Sequence, residues 1–150
     1  DGRHIRSFGP FNEPVNAVFL PGTTRLAVSD VWNHRIAIVE ASGEVRSIPA
    51  PYWNYLDTPF KPGIASDASR RLYAAIPDRS CVLFLDEAGK PLHHFGLYGF
   101  SSDRMNQPAG LFYDAAFSRL FVADSGNHRI LVFPITPPSS PADEPRPFSR

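Results

Sequence analysis

The chain is poor in the residues that carry covalent chemistry, and each shortage removes a class of function. One of its 150 residues is cysteine, Cys81, so an internal disulfide framework is excluded. A lone cysteine in an apolar run reads as a small buried hydrophobe before it reads as a nucleophile. Net charge is absent, with 15 basic residues against 15 acidic ones. The bulk field therefore offers nothing to a phosphate backbone, although a local basic patch stays open. No apolar run is long enough to cross a bilayer as a helix, so no membrane partner is expected. No Asn-x-Ser/Thr sequon occurs, which leaves no acceptor for N-glycosylation. The chain opens on Asp1 without a signal-like stretch, so it reads as a mature or excised piece and the sequence assigns it no compartment. What it does have is 43% hydrophobic and 13% aromatic residues, enough for a packed core and too much for a disordered chain.

The strongest signal is a repeat. Arg119-Leu-Phe-Val-Ala-Asp-Ser-Gly-Asn-His-Arg-Ile-Leu-Val-Phe133 reads as two short strands around a tight turn. Arg25-Leu-Ala-Val-Ser-Asp-Val-Trp-Asn-His-Arg-Ile-Ala-Ile-Val39 matches it position for position. Arg71-Leu-Tyr-Ala-Ala-Ile-Pro-Asp-Arg-Ser-Cys-Val-Leu-Phe-Leu85 keeps the apolar pattern with its polar positions changed. The starts lie 46 and 48 residues apart, a period of propellers and solenoids.

Each copy is surrounded by two further extended segments. Asp1–Gly9, residues 40–48 and residues 86–96 share a turn signal followed by an extended run, and read as outermost strands. Pro91 fits an edge, where a missing N–H is tolerated. Residues 15–20, 63–66 and 109–113 follow Pro14, Pro62 and Pro108 and carry small side chains, as expected of innermost strands crowded around an axis. Four-stranded units with apolar residues on both faces must stack face to face, and radial stacking of such sheets is a β-propeller. The fold class is therefore all-β, with three blades in residues 1–135. Residues 136–150 are proline-rich and aperiodic and read as a tail or linker. Three blades are fewer than the four at which propellers close. A homodimer completing a six-bladed ring, or further blades from a parent chain, is expected.

Candidate functional residues lie in the turns and loops. Asp30 with Arg35, and Asp124 with Arg129, bracket the first and third hairpin turns, at a spacing that allows a bidentate ion pair bonded also to turn amides. Both polar partners are replaced together in the middle copy, by Ile76 and Cys81, as a partly buried structural pair requires. Gly126 and Asn127 suit the left-handed backbone of such turns. His34 and His128 sit two blades apart, too isolated for a zinc site of three or four clustered ligands. No metal, cofactor or catalytic set is expected from spacing. Trp32, Tyr52, Trp53, Tyr55, Phe60, Tyr98 and Phe100 fall in the hairpin turns and in the outer-to-inner loops, which emerge on one face of a propeller. With His34, Arg79, Arg104 and His128 they form either a recognition rim or the seals of the seams between blades. Trp32, Trp53 and Tyr55 are the leading candidates for recognition.

The two close copies, with Pro108-Ala-Gly-Leu111 and the Asp1–Gly9 outer strand, resemble NHL repeats. The resemblance covers residues 1–135, with a degenerate middle copy at Ile76-Pro-Asp-Arg-Ser-Cys81. It implies a six-bladed propeller, of which this would be half, binding a protein or an RNA through one face. Zero net charge favours a protein over RNA. It also implies an enzymatic alternative, since the peptide amidating lyase is a relative in fold. That alternative is a small-molecule hydrolase or lyase with its site at the central channel, although the lyase's histidines and arginine find no counterparts at matching positions here.

Overall fold

A computed structural model describes residues 1–53 and 59–135 of the chain. Three antiparallel sheets form, in the order the repeat dictates. The first holds β1 (Pro14–Phe19), β2 (Leu26–Asp30), β3 (Arg35–Val39) and β4 (Val45–Pro49). The second holds β5 (Ile64–Ser66), β6 (Leu72–Ile76), β7 (Cys81–Leu85) and β8 (Pro91–Phe95). The third holds only β9 (Pro108–Asp114), β10 (Arg119–Asp124) and β11 (Arg129–Pro134). These are blades 1, 2 and 3 of a β-propeller, and the described residues contain no α-helix.

Apolar side chains on both faces of a strand require a neighbour on each side, and the core is divided accordingly. One seam joins Ala27, Ile36, Ile38 and Ile48 of blade 1 to Leu72, Ala74, Leu83 and Leu85 of blade 2. The next joins Tyr73, Val82 and Phe84 to Leu120, Val122, Leu131 and Phe133. Cys81 is buried in the first seam, where burial pushes its thiol up to about 11 and leaves it inert near neutral pH.

The innermost strands are stapled to one another near the axis. The Ile64 amide donates to Asn16 Oδ1 at 2.8 Å, and the Gly63 amide donates to the Ala109 carbonyl at 3.0 Å. This approach explains the glycine, because a Cβ at position 63 would stand 2.9 Å from the Ala109 oxygen. Gly63→Ala must push two inner strands apart and is expected to cost about 1–3 kcal/mol, read as a lowered midpoint in urea denaturation. An unchanged midpoint would show that the axis is loosely packed.

Two expectations change. Residues 1–11 pair with no strand among the described residues, so the outer strand expected at Asp1–Gly9 does not form. The left-handed position of the hairpin turns is not Gly126 or Asn127 but the residue after them. His34, Ser80 and His128 have φ of 49°, 51° and 53°, each closing a 3-10 turn. Gly126 is required instead by crowding, since a Cβ there would meet Asn106 Cγ at 2.6 Å. The expected tail at 136–150 lies outside the described residues.

Candidate functional site

The face that carries the hairpin turns also carries the loops leading into the innermost strands. A repeated carboxylate cage ties the two together. Asp124 is fully buried and accepts from the Asn106 amide at 2.6 Å, Asn127 Nδ2 at 2.8 Å and Arg129 Nε at 2.8 Å. Asp30 is likewise buried and accepts from the Asn12 amide at 2.6 Å, Asn33 Nδ2 at 2.8 Å and Arg35 Nε at 2.6 Å. The expected bidentate fork is corrected in both: a single Nε meets the carboxylate, because the Nη groups are engaged elsewhere. Arg129 uses its Nη atoms to hold the carbonyls of Phe100, Ser101 and Arg104 at 3.2, 2.6 and 2.7 Å. The amides bonded belong to the incoming loop, not to the turn. Each cage is thus a three-way joint of turn, strand and loop.

Asn12 and Asn106 complete the joint and were not singled out from sequence, although Asn12-Glu-Pro14 and Asn106-Gln-Pro108 share their spacing. Blade 2 changes every member together, with Phe60 for the loop asparagine, Ile76 for the aspartate, Arg79 for the turn asparagine and Cys81 for the arginine. Removing a buried carboxylate along with its two side-chain donors strands no charged side chain.

The rim candidates separate once placed. Trp53 is corrected: it is wholly buried between blades 1 and 2, its indole N–H donating to the Ala75 carbonyl at 3.0 Å, with Tyr52 edge-on at 5.8 Å. Burial raises the Tyr52 phenol pKa well above its ordinary value. The loop turns inward at once, since the Ala50 amide donates to the His34 carbonyl at 2.7 Å and the Trp53 amide to Ala50 at 3.0 Å. His34 Nδ1 donates to the Trp53 carbonyl, so this histidine braces the loop. Tyr55 lies outside the described residues. Trp32 is half exposed and Arg79 exposed, each on its own turn. His128 is exposed on the third turn.

The second loop gathers the most open apolar surface. Tyr98 and Phe100 are 63% and 69% exposed, set edge to face at 5.7 Å, beside exposed Leu97. The loop is nonetheless fixed: the Gly99 amide donates to the Met105 carbonyl and the Met105 amide to the Leu97 carbonyl, each at 2.9 Å, and Asn127 Nδ2 donates to the Gly99 carbonyl at 2.9 Å. Arg104 lies partly buried across Gly99, and its carbonyl serves Arg129. Among the described residues no group of three histidine, cysteine or carboxylate side chains is placed to hold a metal ion.

The opposite face carries charge that sequence reasoning missed. Asp67 is buried, with Arg71 Nε and the Tyr73 hydroxyl donating to it at 2.6 Å each. Burial first, then the Asp67 bond, drive the Tyr73 phenol pKa far up. Glu87, in the turn after β7, accepts from Arg70 Nε at 2.6 Å and from Arg25 of the neighbouring blade. Those bonds, the Arg70 one foremost, hold its carboxyl below the ordinary glutamate value. A depressed folded pKa gives stability that is complete above the unfolded glutamate range and is lost as pH falls through the lowered value. Acidification is therefore expected to loosen the joint of blades 1 and 2, and Glu87→Gln to remove that part of the pH dependence in denaturation midpoints taken across pH 3–6 (about that range).

No family model matches the chain, and no curated protein matches it. Solved structures do. A selenomethionine form of virginiamycin B lyase from Staphylococcus aureus superposes with a TM-score of 0.54 and 16% identity, over 87% of this chain and 44% of that one. A chain of a nidogen–laminin complex gives 0.56 and 14%, over 82% and 48%. Hydrazine synthase from Kuenenia stuttgartiensis gives 0.53 and 14%, over 87% and 37%. The chain thus spans less than half the length of each. At such identities the likeness establishes the propeller fold alone, which two enzymes and a chain of a nidogen–laminin complex share.

Proposed function

We propose that the chain is part of an NHL-like recognition propeller that binds a protein partner through the face bearing its hairpin turns. The observation that carries this is the pair Tyr98 and Phe100, large aromatics held open to solvent on a loop whose backbone is fixed by Arg129 and Asn127. Rigid aromatics lose little conformational freedom when they bind, which is why they dominate interfaces. The nidogen–laminin likeness supports a binding role for this fold.

A second reading is favoured by the lyase and synthase likenesses, a ligand site at the axial mouth. Glu13 and Lys61 meet there at 3.7 Å at the start of the innermost strands, and Glu13 Oε2 is buried with no hydrogen-bond partner among the described residues. One experiment divides the two. Tyr98→Ala and Phe100→Ala are expected to keep the wild-type melting temperature within a few degrees while lowering affinity for a captured, nuclease-resistant protein partner at least tenfold. Nuclease-sensitive capture would point to RNA. Binding or turnover of virginiamycin B that survives both variants and is lost in Glu13→Gln would point to the axial site.

A further inference from the structure

The loops that enter blades 1 and 3 begin and end alike and differ in between. Phe8-Gly9 and Phe11-Asn12-Glu13-Pro14 match Phe95-Gly96 and Met105-Asn106-Gln107-Pro108 in pattern. One residue, Pro10, joins Gly9 to Phe11, where residues 97–104 join Gly96 to Met105. The landing points are nonetheless the same. Phe11 packs against the cluster of Val28 and Ala37, and Met105 lies in the cluster with Val122 and Leu131, the equivalent positions of blade 3. The Asn12 and Asn106 amides donate to Asp30 and Asp124. Arg35 Nη2 donates to the Pro10 carbonyl at 3.2 Å, and Arg129 Nη2 to the Arg104 carbonyl at 2.7 Å. The joint thus uses one carbonyl ahead of the apolar residue, and blade 1 supplies it from a one-residue link.

Residues 98–104 are a closed excursion from that joint. The Met105 amide donates to the Leu97 carbonyl at 2.9 Å, so the chain leaves and returns within one hydrogen bond. Inside the excursion, the Arg104 amide donates to the Ser101 carbonyl at 3.1 Å and the Ser101 hydroxyl to Asp103 at 2.7 Å. No side chain of it enters a seam: residues 98 and 100–103 are exposed, and the stem of Arg104 lies on Gly99. Its ties from Arg129 to the carbonyls of Phe100 and Ser101 have no counterpart in blade 1, where Arg35 Nη1 donates to Ser47 of β4 instead. The loop entering blade 2 is long as well, but it buries Tyr52 and Trp53 in the core, so length alone does not set a loop apart from the fold. Removing residues 98–104 takes no apolar side chain from a seam, and a shorter loop costs less entropy to close.

We propose that residues 98–104 are an insert on the propeller, dispensable for the fold, that determines which protein this face takes. The second half rests on the recognition reading above, because the insert carries Tyr98 and Phe100.

The test is a full chain in which residues 98–104 are deleted together with Leu97→Pro, which gives blade 3 the link found in blade 1. It is expected to melt in one cooperative step within a few degrees of the wild type, with amide exchange in β9 and β10 unchanged. Its affinity for the purified protein that the wild-type chain captures should fall at least tenfold, as in Tyr98→Ala and Phe100→Ala. Loss of the cooperative melt, or faster exchange in β9 and β10, makes the segment part of the fold and overturns the proposal, while the two alanine variants still decide the recognition reading. A folded deletion variant that binds as the wild type does overturns the insert as the determinant of the partner. If the two alanine variants also bind as the wild type does, the recognition reading falls with it.

Discussion

Trp53→Ala is expected to remove about 3–5 kcal/mol of stability, the range for truncating a large buried aromatic. Small domains have about 5–15 kcal/mol in total, so the variant should melt early and broadly. The loss has three sources. The indole fills the seam between blades 1 and 2 beside Ile36, Leu72 and Ile76. Its removal leaves the Ala75 carbonyl without the indole donor, and it takes away the edge-on contact with Tyr52. Trp53→Phe keeps most of the volume and loses the N–H, so its cost should fall to about 1–3 kcal/mol. Fluorescence gives a second check, because the chain has two tryptophans, one buried and one half exposed. Wild-type emission should contain a blue-shifted component that vanishes in Trp53→Ala and leaves the red emission of Trp32. A cooperative, unshifted melt in Trp53→Ala would place this side chain on the surface and reopen it as a recognition residue.

That residue marks where the sequence stopped being informative. The blades were legible because they rest on local pattern, alternating apolar residues and a turn repeated three times, and every strand from β1 to β11 overlaps its expected segment, although β4 and β8 begin only after the turns that open theirs. Asp30 with Arg35 and Asp124 with Arg129 were legible because their replacement in blade 2 is joint. The loops were not, since a tryptophan in a long aromatic loop reads the same whether the loop swings out or folds back. What decides it is the Ala50–His34 bond and the His34 ring, contacts between residues whose pairing no period announces. The left-handed turn position was misplaced for a related reason. Glycine and asparagine are the usual occupants, and here crowding by Asn106 and the needs of the Asp124 carboxylate claim them first, so His128 takes the strained position. Glu87 was invisible because its arginines come from the loops of two blades.

Asp124→Ala is expected to be the costliest change outside the apolar seams, about 3–5 kcal/mol. One carboxylate there satisfies the Asn106 amide, the Asn127 side chain and the Arg129 guanidinium, and its loss frees all three at a wholly buried position. Arg129→Ala should cost less, about 2–3 kcal/mol, because the aspartate keeps its other two donors and the guanidinium is already 28% exposed. The double change Asp124→Ile with Arg129→Cys imports blade 2's own solution and should cost clearly less than the sum of the single changes at the two positions. The residual cost is set by the Asn106 backbone amide, which loses its bond to Asp124 Oδ1 while its N–H remains. Arg129 also fixes the loop that presents Tyr98 and Phe100, through the carbonyls of Phe100, Ser101 and Arg104. Arg129→Ala should therefore weaken partner binding under conditions where the variant is still fully folded, and amide exchange should rise at residues 99–104 before it rises in β10. Additive losses in the double-mutant cycle would show that Asp124 and Arg129 act independently. Exchange that rises in β10 and the loop together would make Arg129 a stabiliser of the blade alone.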